Sequence, residues 1–231
     1  MSNDYFKFKL FTIRQERCAM KVGTDGTLLG AWANGGSRIL DIGTGTGLIA
    51  LMMAQRFATA SITGVEIDPE AASQARQNVE ASPFRGRVFV TEGDVNSFDS
   101  PAFDAVVANP PFFVNSLACP DNQRSRARHT LALTYAGLMK ASRRLLSDNG
   151  ELSVVIPFDC KARLEQEASL HGFFKSRECA VKTTPTKERP RRFLLAFRRH
   201  PCTPELSEGI LESAPGQRSQ WYNNLTHDFY L

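Results

Sequence analysis

Apolar residues along the chain gather into short β-branched runs, separated by stretches of helical composition. RILDIG (38–43) ends in glycine and reads as a buried strand, followed by ASITGVEI (60–67), RVFVTEGD (87–94), FDAVVAN (103–109) and ELSVVIP (151–157). Between them, LIALMMAQRFA (48–58) and TYAGLMKASRRLL (134–146) have helical composition, and the second is expected to stop at an SDNG turn over 147–150. DPEAASQARQNVEAS (68–82) opens with Asp68 as N-cap and Pro69 at the first helical position. DCKARLEQEASLHG (159–172) gives a further helix, and FFKSRECAVK (173–182) and RRFLLAFRR (191–199) are expected to pair as edge strands around a polar loop. Strand alternating with helix implies an α/β fold with a doubly wound, mostly parallel sheet. In such sheets ligands bind at the carboxyl ends of the strands, and the unusual residues of this chain fall there.

A length of 231 residues suits one α/β domain, with 42% hydrophobic and 23% charged residues to build a sizeable core. The expected division is an N-terminal cap or lid over 1–37, a core over 38–199 and a tail over 200–231 packed on that core. No segment approaches about 18 uninterrupted apolar residues, so no membrane span is expected. MSNDYFKFKL lacks an apolar h-region and does not read as a signal peptide. The five cysteines are odd in number and form no CxxC pair, which points to reduced thiols in a cytoplasmic protein and to no metal. A formal charge of +4 permits a polyanionic partner without demanding one.

DIGTGTG (41–47) places Gly43, Gly45 and Gly47 between the first strand and its helix, where glycine lets a ligand approach the backbone. The spacing is G-x-G-x-G rather than the dinucleotide G-x-G-x-x-G. Glu66 ends the second strand, where a carboxylate can accept two ribose hydroxyls; a nicotinamide-binding domain would want the same acid. Asp94, at the end of the third strand, can accept from an adenine amine or cap a turn. Together, Asp41, the glycines, Glu66 and Asp94 resemble the motifs of class I S-adenosylmethionine-dependent methyltransferases, over residues 38 to 157 or so. The resemblance implies a Rossmann-like sheet of seven strands, S-adenosyl-L-methionine as cofactor and S-adenosylhomocysteine as product. It also implies that Gly43–Gly47 lie under the methionine part, that Glu66 holds the ribose and that Asp94 and Val95 frame the adenine. Asp41 would order the glycine turn or bind a water on the cofactor side.

VVANPPFF (106–113) follows the fourth strand, and its two prolines fix two φ angles and remove two backbone donors. The Asn109 side-chain oxygen and the Pro110 carbonyl can accept both hydrogens of a conjugated amine, drawing its nitrogen toward tetrahedral geometry and localising the lone pair. Held by the prolines, these acceptors need little reorganisation at reaction, and Phe112 offers a face on which a planar substrate stacks. The stretch resembles the N-P-P-[FY] motif of methyltransferases that act on planar nitrogens, which also sets Asn109 against the cofactor.

FTIRQERCAMKVGTDGTLLGAWA (11–33), NPPFF, RSRARH and the terminal DFYL resemble the bacterial N6-adenine methyltransferases that act on valine tRNA, whose target is adenine 37 beside the anticodon. The resemblance implies a tRNA anticodon stem-loop as partner; a monomer is expected, though nothing in the sequence fixes the oligomeric state. Lys21–Ala33 would form a lid and helix over the cofactor, or a cap packed on the sheet. Phe113, Arg124, Arg126 and Arg128 directly follow the motif loop, and Lys187, Arg189 and Arg192 lie farther on; such basic clusters suit phosphate contacts. An anticodon-loop base is already unpaired, so extruding it costs less than flipping it from a duplex. Two other readings stay open: methylation of another planar amine (rRNA adenine or guanine, or a protein glutamine), and a non-catalytic RNA-binding module. The glutamine-methylating branch carries a helical domain before its first core strand, which is not expected in the 37 residues before Arg38.

Overall fold

Ile39 and Leu40 are neighbours in the chain, yet their side chains belong to two different cores. The computed structural model, which describes residues 4–18, 20–110 and 133–231, explains why. In chain order its elements are β1 (Tyr5–Lys7), β2 (Thr12–Arg14), α1 (Thr24–Trp32), β3 (Arg38–Ile42), α2 (Leu48–Arg56), β4 (Ser61–Glu66), α3 (Pro69–Glu80), β5 (Val88–Glu92) and β6 (Phe103–Ala108). Then come α4 (Tyr135–Leu145), β7 (Leu146–Pro157), a 3-10 turn (Phe158–Cys160), α5 (Lys161–Leu170), β8 (Phe174–Lys182), β9 (Arg192–Arg198), β10 (Glu205–Ile210), β11 (Glu212–Ala214), β12 (Gln217–Arg218) and α6 (Gln220–Thr226).

One eight-stranded sheet runs in the order β10-β8-β9-β7-β6-β3-β4-β5. Only β9 opposes its neighbours; every other adjacent pair is parallel. Helices cover both faces, so the central strands need apolar side chains on both sides and read as continuous hydrophobic runs. Ile39, Ile62, Ala105, Val107 and Val155 face a core shared with α1 and α2. Leu40, Val65, Val106, Val154 and Ile156 face a second core with α4 and α5.

Three details differ from the sequence reading. The sheet has eight strands rather than seven, because β10 adds to β8 in parallel register, Glu205 opposite Arg177 through Ile210 opposite Lys182. Its sequence, ELSEGI, is largely exposed and carries no hydrophobic signal. Neither β8 nor β9 is an edge: β9 lies between β7 and β8, and its Phe193–Phe197 are all buried. The SDNG segment is not a turn but the start of β7. There the register with β6 shifts between Phe103 and Ala105, and a Cβ on Gly150 would stand 2.9 Å from the Asp104 carbonyl, too close for a side chain.

The two ends of the described chain meet. The Lys9 amide donates to the Phe229 carbonyl over 2.8 Å, and the Phe8 and Tyr230 rings stack at 5.8 Å. Buried Asn78 of α3 then ties the N-terminal hairpin to the glycine turn: its Nδ2 donates to the carbonyls of Arg14 and Thr46, both at 2.9 Å, and its Oδ1 accepts the Arg14 amide.

Candidate active site

β3 is flanked by β4 on one side and β6 on the other, so the strand order reverses there and a crevice opens beyond the carboxyl ends. That crevice is a cavity of about 640 Å³. Its walls come from the ends of four strands: Ile42 and Gly43 after β3, Val65 to Asp68 after β4, Gly93 to Asn96 after β5, and Ala108 to Pro110 after β6.

The glycine turn is built by its neighbours. Gly43 and Gly45 have φ values of 68° and 56°, the left-handed region in which a side chain is strained. A Cβ on Gly43 would meet nothing within 4 Å, so the bare backbone leaves its space to the cavity. Asp41, fully buried beneath the turn, accepts from the Thr44 hydroxyl (2.6 Å) and the Ala50 amide (3.1 Å) through Oδ2. It orders the turn from below and is not a wall residue; Gly47 likewise starts α2 rather than lining the space. Burial pushes the Asp41 carboxyl up to about 7, against the lowering effect of the Thr44 and Ala50 donors.

Glu66 closes one side. Its Oε2 accepts the Gly45 amide (2.8 Å) and its Oε1 the Asp68 amide (3.0 Å), which fixes the carboxylate at the cavity edge. Each oxygen keeps a second lone pair for a ligand hydroxyl. Asp94 both lines the cavity and caps its own loop, accepting the Asn96 amide at 2.9 Å. Val95 is buried beside it. Across the cavity Asn109 is half-buried, and its Oδ1, buried, finds no donor among the described residues. A buried amide oxygen without a partner is unfavourable by itself, and this one belongs to a residue of the cavity wall.

The sequence reading missed several wall residues. Cys18 and Met20 close the N-terminal side, and burial, with Glu66, Asp68 and Glu16 nearby, pushes the Cys18 thiol up to about 11. None of Lys21–Ala33 lines the cavity; six consecutive residues of α1, Gly26 to Ala31, are buried against the core instead. Thr134, Gly137 and exposed Lys140 add a wall from the start of α4, whose N-cap hydroxyl on Thr134 accepts the Gly137 amide. Arg144 stands behind the wall: its guanidinium donates to the carbonyls of Phe98, Val95 (2.8 Å) and Asn96 (3.2 Å), pinning the loop after β5.

Among the expected RNA contacts, Lys187 and Arg189 lie exposed between β8 and β9. Arg192 does not join them. It forms an ion pair with Asp25 at the start of α1, its side chain only 12% exposed, so its charge serves the fold. Phe112, Phe113, Arg124, Arg126 and Arg128 lie outside the described residues.

Comparison with known proteins gives the chain its family. The family model described as the methyltransferase small domain matches residues 26–185. A tRNA1(Val) (adenine(37)-N6)-methyltransferase of Bacteroides thetaiotaomicron is 47% identical over 237 residues, covering 100% of this chain and 99% of its own. A relative of the same name from Tolumonas auensis is 41% identical, with 100% and 98% coverage. The crystal structure of a predicted O-methyltransferase from Agrobacterium tumefaciens superposes with a TM-score of 0.70 at 20% identity, covering 89% of this chain and 96% of its own, a likeness of fold. Full-length identity at this level, with the methyltransferase domain over most of the chain, places the protein in the tRNA1(Val) (adenine(37)-N6)-methyltransferase family.

Proposed function

We infer that this protein transfers a methyl group from S-adenosyl-L-methionine to the exocyclic N6 of adenine 37 in tRNA1(Val). The observation that carries the chemistry is the Asn109 Oδ1, a buried acceptor without a donor among the described residues, in the wall of the cavity at the strand reversal. The residues around it fit the cofactor. The open backbone at Gly43 and Gly45 suits the methionine part, the Glu66 oxygens suit two ribose hydroxyls, and Asp94 with buried Val95 suits an adenine. Bound there, S-adenosylmethionine supplies a methyl group already activated by its sulfonium.

The remaining work falls to the protein. Asn109 Oδ1 and the Pro110 carbonyl accept the two hydrogens of N6 and localise the nitrogen lone pair, and Pro110 holds both acceptors with little reorganisation. In-line positioning of nitrogen and methyl lowers the barrier further. The proton lost from N6 after transfer needs only a water as its acceptor. From the sequence motif, Phe112 supplies the stacking face. Relatives with the same name at 41–47% identity support the choice of adenine and of tRNA.

Methyl transfer from radiolabelled S-adenosylmethionine into unmodified total tRNA, followed by nucleoside analysis, tests the reading. Label in N6-methyladenosine beside the valine anticodon is the expected result. Label in rRNA or in a protein fraction would keep the planar-amine chemistry and overturn the target.

A further inference from the structure

Beyond the cavity, the carboxyl end of the sheet carries a second feature that the methyl-transfer chemistry does not use. β7 ends at Pro157, opposite Arg192, so the 183–191 loop leaves the sheet on the same side as the cavity. Phe158 follows at once and is 39% exposed, although large aromatic rings are ordinarily covered. Its inner neighbour is the buried Phe193 ring at 6.0 Å and 32°. Its amide donates to the Arg191 carbonyl at 3.1 Å, which ties it to the base of the loop. The Arg189 guanidinium stands over its ring at 6.0 Å. The Lys161 ammonium lies 4.9 Å from the Phe193 ring centre, but Lys161 is already paired with Glu165 and Glu178.

The charges around this ring are unbalanced. Exposed Lys187, Arg189 and Arg191 form no ion pair among the described residues; Glu188 opposes them on the same loop, Asp159 follows Phe158 in the chain, and Asp25 of α1 lies near Arg191. Asp25 is already paired with Arg192, so the three loop cations outnumber Glu188 and Asp159, and beside them is an aromatic face already flanked by a guanidinium. An exposed aromatic ring beside unpaired cations is the combination that takes an unpaired nucleobase and its phosphate.

We propose that Phe158 and Arg189 form a stacking shelf for a second, unpaired base of the RNA, near the base that enters the cavity. Val154 of β7 pairs with Ala108 of β6, so Phe158 lies about one strand spacing across and some three residues beyond Asn109, a separation on the order of 10 Å. The shelf therefore reads a base close to the target without touching the reacting nitrogen, and it rests on the RNA-methylating reading given above.

Two measurements made together test it. Steady-state methylation of the full tRNA gives separate KM values for RNA and for S-adenosylmethionine, and fluorescence anisotropy gives the affinity for a labelled single-stranded anticodon-loop oligonucleotide. Phe158→Ala is expected to raise the KM for tRNA and weaken oligonucleotide binding by about tenfold, in the range lost with one stacked base, while the KM for S-adenosylmethionine stays put. Phe158→Trp should restore both, and Arg189→Gln should weaken binding and flatten its salt dependence, which a merely structural role of the ring would not produce. Wild-type protein that methylates tRNA, with Phe158→Ala binding RNA unchanged, overturns the shelf and leaves the reaction intact. Wild-type protein that never methylates tRNA, with Phe158→Ala still weakening RNA binding, overturns the reaction and leaves the shelf. Equal RNA binding by all variants, with no methylation, overturns both.

Discussion

Glu66 braces Gly45: the carboxylate that ends β4 accepts the Gly45 amide over 2.8 Å. In the proposed reading the acid acts twice, once on the backbone beside the cavity and once on the ligand itself. Replacing it by alanine removes both actions. Hydrogen bonds to a charged group are worth roughly 1.5–3 kcal/mol each, so Glu66→Ala should weaken S-adenosylhomocysteine binding about a hundredfold or more by calorimetry. Glu66→Gln should fall between that variant and the wild type. Equal affinity in all three proteins would remove Glu66 from the cofactor site.

Asn109 is proposed to act on the other substrate. Asn109→Ala deletes an acceptor that matters most as the amine nitrogen rehybridises, so kcat for tRNA methylation should fall about 10²- to 10³-fold. S-adenosylhomocysteine affinity should change only a few-fold. A variant that loses cofactor affinity and turnover in equal measure would argue that Asn109 builds the cavity rather than gripping the amine.

Arg144 predicts a third kinetic pattern. Its guanidinium holds three carbonyls of the loop that carries Asp94 and Val95, so Arg144→Ala should raise the KM for S-adenosylmethionine about tenfold and leave kcat at saturation nearly unchanged. Lysine cannot fork to three carbonyls, and Arg144→Lys should be intermediate. A loss of kcat with an unchanged KM would contradict a positioning role on the cofactor side.

The buried Asp41 predicts a pH dependence. Its carboxyl rises from an ordinary 3.8 to about 7 on folding. Between those values the folded protein holds a proton that the unfolded chain has released, so the stability on that account is greatest at low pH and falls as pH rises toward 7. From pH 5 to pH 7 the loss is on the order of 2 kcal/mol. Urea denaturation at those two pH values should show the fall in wild type and a smaller one in Asp41→Asn, whose amide has no such proton to lose.

Much of this was legible in the sequence, for identifiable reasons. The strands that end at the cavity are buried on both faces, and burial on both faces leaves an uninterrupted apolar run such as ILDI or AVVA. The Asp68 cap, the glycine turn and Asn109-Pro110 carry chemistry in their residue types. β10 was not legible, since an exposed strand held by backbone pairing needs no apolar side chains. Arg144 was hidden for another reason. In the last turn of α4 a cation reads as a helix-dipole partner, and nothing local says that it reaches a loop some 46 to 49 residues earlier. Arg192 misled in the opposite sense: its basic neighbours pointed outward, whereas its own partner, Asp25, is distant in sequence.

The reversal of strand order beside β3 has an evolutionary meaning. Strands on one side, β3 to β5, end in the residues proposed for the cofactor, and strands on the other, β6, β7 and β8, end in those proposed for the nucleic acid. Heredity can therefore work on the two halves separately. A lineage that keeps the first half untouched can try new loops after β6 and β7, acquiring new targets without relearning how to hold the methyl donor.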